Sequence, residues 1–405
     1  MKLIISLASL FICLLVILIL MFKISRNSLQ EAMELKFPSY KPPQRKDDCL
    51  DIARESQQKL LNANISVSCS LLHYSNNCNH LYDELRTKAD PFNVYLRSSV
   101  CDLDMPKFSV VSSAEKNFPL AYFITAFTDS RNFEQLLSIV FRPHNAYCIH
   151  VDPKADQLFI NTVKQIIFCY KQLYPEAKLF LSSGSVPVYW GHFSIVEAEL
   201  ICLSDLLALD VQWKYAIDLA GSELVLLTNK EMVEFLSSSE TPEIYVESFP
   251  LPEMNRVQRK DKLFPFNMTI YKGAKSYRLP RIFVEFLLNH PVSLQFIHWS
   301  KATYIPDETV IPTLARISNT IKEENGWVVK QEYIPRPRYH LQNRAGWLPC
   351  HSSWRNMVCI FSLKDLYIIL QSGAHIINKF LTDRDPYIGQ CIAEIVESMT
   401  MRSSN

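Results

Sequence analysis

The sequence predicts an α/β domain built on a mainly parallel sheet, in a Rossmann-like arrangement. From residue 120 onward, apolar segments of strand composition alternate with segments that have the period of amphipathic helices. Each strand-helix-strand step requires a crossover, which places helices on both faces of the sheet. The second strand ends at a carboxylate, Asp152, followed at once by Pro153. Because ligands bind at the carboxyl ends of parallel strands in such sheets, this position predicts a nucleotide pocket.

The alternation can be followed element by element. The first strand covers 120–127, and Asp129 with Ser130 can cap the helix that follows. The apolar residues of that helix recur at i, i+3, i+4 and i+7, at Phe133, Leu136, Leu137 and Val140. The second strand is 146–151. The later elements are a helix marked by Phe159, Val163, Ile166 and Ile167, a strand at 179–181, a helix over 195–208 and a strand over 213–219.

Glycine is scarce, with eight residues in 405, and no Gly-x-Gly-x-x-Gly fingerprint follows a predicted strand. A glycine-rich phosphate loop is therefore not expected, and other groups have to neutralise any bound phosphate. The net charge of +1, without a basic excess, argues against a nucleic-acid partner.

The amino-terminal residues predict a membrane anchor. Residues 3–22 form an uncharged apolar run of the length that crosses a bilayer core. A cleaved signal peptide is the alternative, which is disfavoured because the run is long and no small-x-small cleavage signal follows it. Flanking charges are balanced, so the orientation is inferred from the rest of the chain. We expect residues 1–2 to be a cytoplasmic tail and the proline-containing, charged residues 23–48 to be a stem.

Residues 49–116 carry cysteines, and we expect them to pack onto the main domain, 117–405. Ten cysteines remain after Cys13 of the anchor is set aside, an even number that allows up to five disulfides. The triplets that begin at Asn64 and Asn267 are glycosylation acceptors in a translocated chain. These features together predict that the main domain is luminal and that the anchor has the type II orientation.

Several short segments form an ordered series between residues 118 and 380: 118–122, 147–152, 213–215, 228–231, Trp299 with 306–308, 358–361 and 378–380. In order and spacing they resemble a divergent member of the core-2 and I-branching β-1,6-N-acetylglucosaminyltransferases, Golgi type II membrane enzymes with a GT-A type fold. The resemblance implies transfer from UDP-GlcNAc to Gal or GalNAc of glycoprotein O-glycans. Monomer and homodimer are both compatible with it.

The resemblance places the catalytic base at Glu308. One carboxylate is enough to take the proton of an attacking hydroxyl, and direct displacement by a 6-hydroxyl would invert an α-linked donor to a β-1,6 product. Pro306, Asp307 and Glu308 precede an apolar helical pattern, which indicates a helix amino terminus. Without the resemblance, both acids would be ordinary first-turn residues of that helix. Pro312 lies inside the helical pattern, where the family has another residue.

The leaving diphosphate needs positive charge, and the resemblance implies basic side chains in place of a metal ion. Lys379 matches the family's lysine, whereas the family's arginine falls on Asn356, one residue after Arg355. A one-residue slip would let the planar guanidinium of Arg355 reach the diphosphate; the alternative is a surface charge. The Asp-x-Asp pairs at 102–104 and 383–385 are interpreted as solvated loop acids, and no metal cofactor is expected.

The resemblance assigns further residues to the two substrates. Asp152 would contact the nucleoside, and Tyr189 falls at a tyrosine beside the donor, although a core aromatic ahead of a helix is an alternative interpretation. Glu247 would accept hydrogen bonds from acceptor hydroxyls. Three basic residues lie where the family contacts its acceptor, although a solvated face explains them equally well: Arg256, Arg259 and Lys260.

The family's disulfides, carried onto this chain, would join Cys148 with Cys202, Cys350 with Cys359, Cys49 with Cys391, and Cys169 with Cys78 or Cys101. The first would fasten the strand that ends at Asp152 to the helix over 195–208. Free buried thiols are the alternative, which an oxidising lumen disfavours.

Two segments depart from the family pattern, 218–227 and 273–277. The first, with the displaced arginine, raises the alternative of a catalytically weak glycan-binding protein of the Golgi. The related peptide O-xylosyltransferases, which use UDP-xylose and share the broad fold, are a second alternative.

Overall fold

The computed structural model describes residues 111–250, 268–317, 327–330, 338–339, 350–385 and 387–403. The chain divides into two compact units, and all of these residues except 367–373 belong to the second, which comprises 87–366 and 374–405. No helix within the described ranges is long and apolar enough to cross a membrane. The predicted tail, anchor and stem, and the cysteine-bearing residues 49–110, lie outside those ranges.

Strands and helices alternate as predicted in the first half of the domain. The elements are α1 Ser113–Asn117, β1 Leu120–Ala126, α2 Ser130–Val140, β2 Ala146–Val151, α3 Gln157–Leu173, β3 Lys178–Leu181, α4 Ser194–Leu207, β4 Tyr215–Ala220 and β5 Glu223–Val225. They continue with α5 Asn229–Leu236, β6 Glu243–Tyr245, β7 Phe249–Pro250, β8 Tyr271–Lys272, β9 Arg278–Pro280, α6 Arg281–Asn289, α7 Pro291–Ser300 and, after the 3-10 turn Pro306–Glu308, α8 Val310–Ala315. The remainder are β10 Val328–Lys330, β11 Arg338–Tyr339, β12 Ser353–Arg355, β13 Val358–Ile360, the 3-10 turn Leu363–Asp365, α9 Leu366–Gln371, β14 Ile376–Asn378 and α10 Ile388–Ser403.

The central sheet has seven strands in the order β10-β6-β9-β4-β1-β2-β3. The pairs β4-β1, β1-β2, β2-β3 and β10-β6 are parallel, and β9 is antiparallel to both of its neighbours. The predicted mainly parallel sheet is therefore confirmed. Smaller sheets join β11-β14-β5, β12-β13 and β7-β8.

The central strand β1 is buried on both faces, which explains its continuous apolar sequence. Successive side chains of a strand point to opposite faces. Phe123 lies in the core that includes residues of α4, α6 and α7. On the other face, the ring of Tyr122 stacks on that of Tyr147 in β2, with centroids 5.3 Å apart.

Asp129 caps α2, as the sequence predicted. Its Oδ1 accepts from the backbone N–H of Asn132 at 3.0 Å, which satisfies one of the free amides of the first helical turn. The same carboxylate accepts from the backbone N–H and the hydroxyl of Thr382, both at 2.6 Å. One side chain thus starts a helix and fixes a segment 253 residues further along the chain.

Strand β4 begins at Tyr215, two residues later than predicted. The residue predicted to open it, Trp213, instead packs beside the end of α4, where its indole N–H donates to Leu206 O at 2.9 Å. The antiparallel strand β9 was not predicted, because its three residues are too few to show a periodic pattern.

Two disulfides join described cysteines, Cys148 with Cys202 and Cys350 with Cys359. The first links β2 to α4 and the second brackets the β12-β13 hairpin. Cys169 and Cys391 are also disulfide-bonded. The resemblance pairs Cys391 with Cys49 and Cys169 with Cys78 or Cys101. These partners lie outside the described residues.

Removal of the Cys148–Cys202 bond by alanine at both positions should lower the free energy of unfolding by about 4 kcal/mol, because the bond spans a separation of 54 residues. The matched control replaces Cys350 and Cys359, which are 9 residues apart, with an expected loss of about 2.5 kcal/mol. Denaturant titration of both purified variants measures the losses. A larger loss for the shorter loop would contradict the loop-closure argument.

Candidate active site

Asp152 lies at the carboxyl edge of the parallel strands, directly after β2. Its backbone N–H donates to Ala126 O at the end of β1, at 2.9 Å. Its buried carboxylate accepts from the backbone N–H of Val188 at 3.2 Å, and from Nζ and the backbone N–H of Lys154 at 2.6 and 2.8 Å. These bonds tie the segment 186–190 to the end of β2.

Exposed aromatic rings surround this point. Nζ of Lys154 lies 5.1 Å from the ring centroid of Phe127 and 4.8 Å from that of Tyr189. Tyr189 is half exposed, so the alternative that it is a core aromatic is wrong. Trp190, 74 % exposed, contacts Tyr304 edge-on with centroids 5.8 Å apart. Sequence reasoning missed Trp190, although two adjacent aromatics before a helix were a usable signal.

The turn 306–308, which carries the predicted base Glu308, is joined through its backbone to Gly191, the residue after Trp190. Ile305, the residue before the turn, has a φ of 54°, a strained conformation for a β-branched residue. Its N–H donates to Gly191 O at 2.9 Å. Gly191 has a φ of 77°, and a Cβ there would lie 2.8 Å from the ring of Tyr304. Glycine is therefore required where these two segments meet.

Glu308 is partly exposed at the end of this turn, with 29 % of its side chain accessible. Nζ of Lys272 lies 3.3 Å from its Oε2, and its carbonyl oxygen accepts from the N–H of Gly273 at 2.8 Å. A Cβ on Gly273 would lie 1.8 Å from the carbonyl oxygen of Glu247. The exposed residue Glu247 therefore lies beside the backbone that supports Glu308, so both predicted carboxylates belong to one region.

The predicted helix amino terminus is present but displaced. Pro306 to Glu308 form a separate 3-10 turn, and α8 starts only at Val310. Pro312 is the third residue of α8, where a backbone N–H has no partner within the helix. The proline is therefore compatible with the short helix.

A cluster of buried charged groups lies behind the turn. Nζ of Lys275 is 3.1 Å from Glu199 Oε1 and 3.1 Å from Asp218 Oδ1. The hydroxyl of Tyr277 donates to Glu199 Oε2. Burial raises the pKa of Glu199 to about 7, although the Lys275 charge opposes the shift. Burial also raises the pKa of Asp307, whose Oδ1 is buried without a hydrogen-bond partner. Sequence reasoning did not find this cluster.

Two cations approach the carboxyl edge from the other side. Lys379 follows β14, and its neighbour Phe380 donates its N–H to Ser222 O, just beyond β4, at 2.9 Å. Burial lowers the pKa of Lys379, and the nearby charge of Arg355 lowers it further, against the opposing effect of Glu223. The positive charges of Lys379 and Arg355 therefore act on each other, as those of an anion-binding pair would.

Arg355 is held by a disulfide-bracketed hairpin. It is the last residue of β12 and is exposed, and the turn that follows has φ values of 51° at Asn356 and 65° at Met357. The N–H of Phe361, after β13, donates to Lys379 O at 2.9 Å. This bond fixes the hairpin against the segment that carries Lys379.

Asp383 and Asp385 differ from each other in exposure. Asp383 is exposed, but Asp385 is buried and its carboxylate accepts from the backbone N–H groups of Leu363, Tyr387 and Ile388 at 2.8, 3.0 and 3.2 Å. The prediction of two solvated acids is wrong for Asp385, because its buried carboxylate accepts hydrogen bonds from three backbone amides. Within the described ranges no group of three His, Cys, Asp or Glu residues is placed to hold a metal ion.

Several predicted residues lie outside the described part of the chain. They are the acceptor-side Arg256, Arg259 and Lys260, the sequons at Asn64 and Asn267, the pair at 102–104, and Cys49, Cys78 and Cys101.

A carboxylate on a tight turn and two cations lie at the carboxyl edge of a mainly parallel sheet, an arrangement compatible with a group-transfer enzyme of the α/β class. The model of the Core-2/I-Branching enzyme family matches residues 120–369. The chain belongs to this family and is a glycosyltransferase.

Curated relatives agree with this assignment. The chain is 33 % identical over 303 residues to a human N-acetyllactosaminide β-1,6-N-acetylglucosaminyl-transferase, covering 70 % of this chain and 73 % of that protein. It is 31 % identical over 318 residues to a β-1,3-galactosyl-O-glycosyl-glycoprotein β-1,6-N-acetylglucosaminyltransferase 3 of Ovis aries, covering 70 % and 69 %. Among solved structures, the galactosyltransferase LgtC matches with a TM-score of 0.35 and 10 % identity over 70 % of this chain and 95 % of that one, a likeness too low to carry an argument.

The raised pKa of Glu199 predicts a pH-dependent stability. Between its ordinary value of 4.5 and about 7, the folded protein binds more protons at this site than the unfolded chain does. The contribution of Glu199 to stability is therefore complete below pH 4.5 and is lost as the pH rises to 7, at up to about 1.4 kcal/mol per pH unit. Denaturant unfolding of wild type and Glu199→Gln at pH 5, 6 and 7 should show wild type losing stability relative to the variant. Parallel pH profiles would contradict this assignment.

Proposed function

We propose that this protein transfers N-acetylglucosamine from UDP-GlcNAc to the 6-hydroxyl of Gal or GalNAc in glycoprotein glycans, with inversion to a β-1,6 linkage. Membership of the family and the names of its relatives support the reaction class. The observation that carries the proposal is the placement of Glu308. Its accessible carboxylate lies on a turn joined by hydrogen bonds to both the Asp152 side of the sheet edge and the Glu247 side.

Glu308 is proposed as the general base. Its carboxylate takes the proton of the acceptor 6-hydroxyl while that oxygen attacks the anomeric carbon of the donor. The new carbon–oxygen bond forms as the bond to the UDP oxygen breaks, so the α-linked donor gives a β-linked product and free UDP. Tyr304 lies just before the turn, and its exposed ring contacts that of Trp190. Both rings can stack on a sugar or base.

Lys379 and Arg355 are proposed to bind the diphosphate. Charge develops on the β-phosphate as UDP leaves, and the two cations, whose charges act on each other in the free protein, stabilise it. On this proposal no metal cofactor is needed. Asp152 and Tyr189 would complete the nucleotide side, and Glu247 with the basic residues Arg256, Arg259 and Lys260 would bind the acceptor.

The cellular setting is part of the same proposal. Residues 3–22 would anchor the protein in the Golgi membrane in the type II orientation, with the catalytic domain, of GT-A type, in the lumen. Disulfides such as Cys148–Cys202 suit an oxidising compartment.

Glu308→Gln should lower the rate of transfer by roughly 10²- to 10⁴-fold and leave UDP binding intact, because the amide keeps the shape of the side chain but cannot take a proton. Transfer of labelled GlcNAc to galactose-terminated and core-1 acceptors measures the rate, and calorimetry measures UDP binding. The control is Glu285→Gln, a half-exposed acid on α6 that should leave the rate unchanged.

Assays with other donors and acceptors distinguish the proposed function from its two alternatives. Release of UDP from UDP-xylose alone would replace the proposal with a peptide O-xylosyltransferase. Glycan binding without any transfer by the wild type would favour a binding protein.

Lys379→Met should reduce kcat/KM by roughly 10²- to 10³-fold and weaken UDP binding, and Arg355→Met should act in the same direction, because each removes one cation from the developing phosphate charge. The control is Arg384→Met, an exposed cation close in sequence to Lys379. Chelator should leave the wild-type rate unchanged. A rate that falls in chelator and returns with a divalent ion would contradict the role of the two cations.

A further inference from the structure

The segment 272–275 contacts Glu308 at two points and the acids behind its turn at two more. Lys272 Nζ lies 3.3 Å from Glu308 Oε2, and the N–H of Gly273 donates to Glu308 O at 2.8 Å. Lys275 reaches behind the turn to Glu199 and Asp218, at 3.1 Å from each. One short segment thus places one cation on the proposed base and a second on the buried acids behind its turn.

The turn needs such support because acidic groups crowd it. Glu199, Asp218 and Asp307 are all buried, and ionised carboxylates are costly to bury without a counter-charge. The charge of Lys275 acts on Asp307 as well as on its two direct partners, whereas the charges of Asp218 and Glu308 act on Asp307 in the opposite sense. Lys275 therefore offsets the mutual repulsion of the groups around the turn.

Backbone strain adds to this need. Ile305 enters the turn at a φ of 54°, a conformation that persists only where the surroundings hold it. Asp307 Oδ1 is buried without a hydrogen bond, so the turn gains no compensation from that atom. Loss of the supporting charge would let the turn relax and move Glu308.

We propose that Lys272 and Lys275 are positioning residues for Glu308. Lys272 holds one carboxylate oxygen of Glu308, Oε2, and so fixes the direction of the carboxylate. Lys275 neutralises the buried acids behind the turn and keeps its backbone in place. This inference rests on the role of Glu308 in the proposed function.

The two lysines should contribute unequally. Lys272 and Glu308 are both about one-third exposed, and a solvent-screened pair of this kind changes an equilibrium by roughly fivefold or less. We therefore expect Lys272→Met to lower kcat by about threefold to fivefold. Lys275 is more buried and contacts two acids, and displacement of a catalytic group by about 1 Å costs roughly 10²-fold in rate. We expect a loss of that size for Lys275→Met.

The test is a comparison of kcat and KM for Lys272→Met, Lys275→Met and their arginine counterparts, with Lys164→Met on the exposed face of α3 as control. For both lysines kcat should fall while the KM for UDP-GlcNAc changes by less than about twofold, and arginine should restore part of the rate. The double variant Lys275→Met with Asp218→Asn should lose less kcat than Lys275→Met alone, because an acid is removed together with its cation. If Lys275→Met does not fold, the kcat values of Lys272→Met and Lys275→Arg test the positioning role instead.

A purely structural role gives a different result, in which thermal stability falls but kcat per folded molecule does not. Unchanged kcat in the lysine variants, with wild type active and Glu308→Gln inactive, overturns the positioning role alone. A wild type that transfers no GlcNAc, or an active Glu308→Gln, overturns the proposed function instead.

Discussion

The site depends on the parallel pairing of β1 with both β2 and β4. This pairing places the ends of three strands at one edge, where Asp152 donates its N–H to Ala126 O and Gly221 donates its N–H to Thr125 O. The segments that carry Tyr189, Glu308 and Lys379 are then connected to that edge by hydrogen bonds, although they lie far apart in the chain. A change in strand register would separate the base from the diphosphate cations without altering any of their side chains.

Charge at this edge is divided into an acidic and a basic side. On the acidic side, around Glu308, lysines from a single segment lie beside the carboxylates. On the basic side, the charge of Arg355 lowers the pKa of Lys379 and the charge of Glu223 opposes that effect. An anion bound between Lys379 and Arg355 would add a counter-charge to the one that Glu223 already supplies. This difference suits a base that must stay in place and a phosphate site that must favour the charged product.

Much of the scaffold could be predicted because it is local in origin. Strand composition, helical spacing and the Asp129 cap are encoded within a few residues, and they gave the alternation and the mainly parallel sheet. The buried cluster of Lys275, Glu199 and Asp218 could not be predicted, since its members come from three separate segments and only tertiary contact makes them neighbours. Asp385 shows the same limit: its sequence context is that of a loop, but its carboxylate is buried and accepts from three backbone amides.

Gly191 has a consequence for how this site can evolve. Its carbonyl oxygen holds the N–H of Ile305, and the Tyr304 ring occupies the space that a side chain at 191 would need. The neighbouring aromatic positions can change size or polarity and still present a face to substrate. Position 191 has less freedom, because its φ of 77° is strained for any residue with a side chain and a Cβ there would have to displace the ring of Tyr304. We therefore expect changes of substrate preference to arise at the aromatic positions next to Gly191 and not at Gly191 itself.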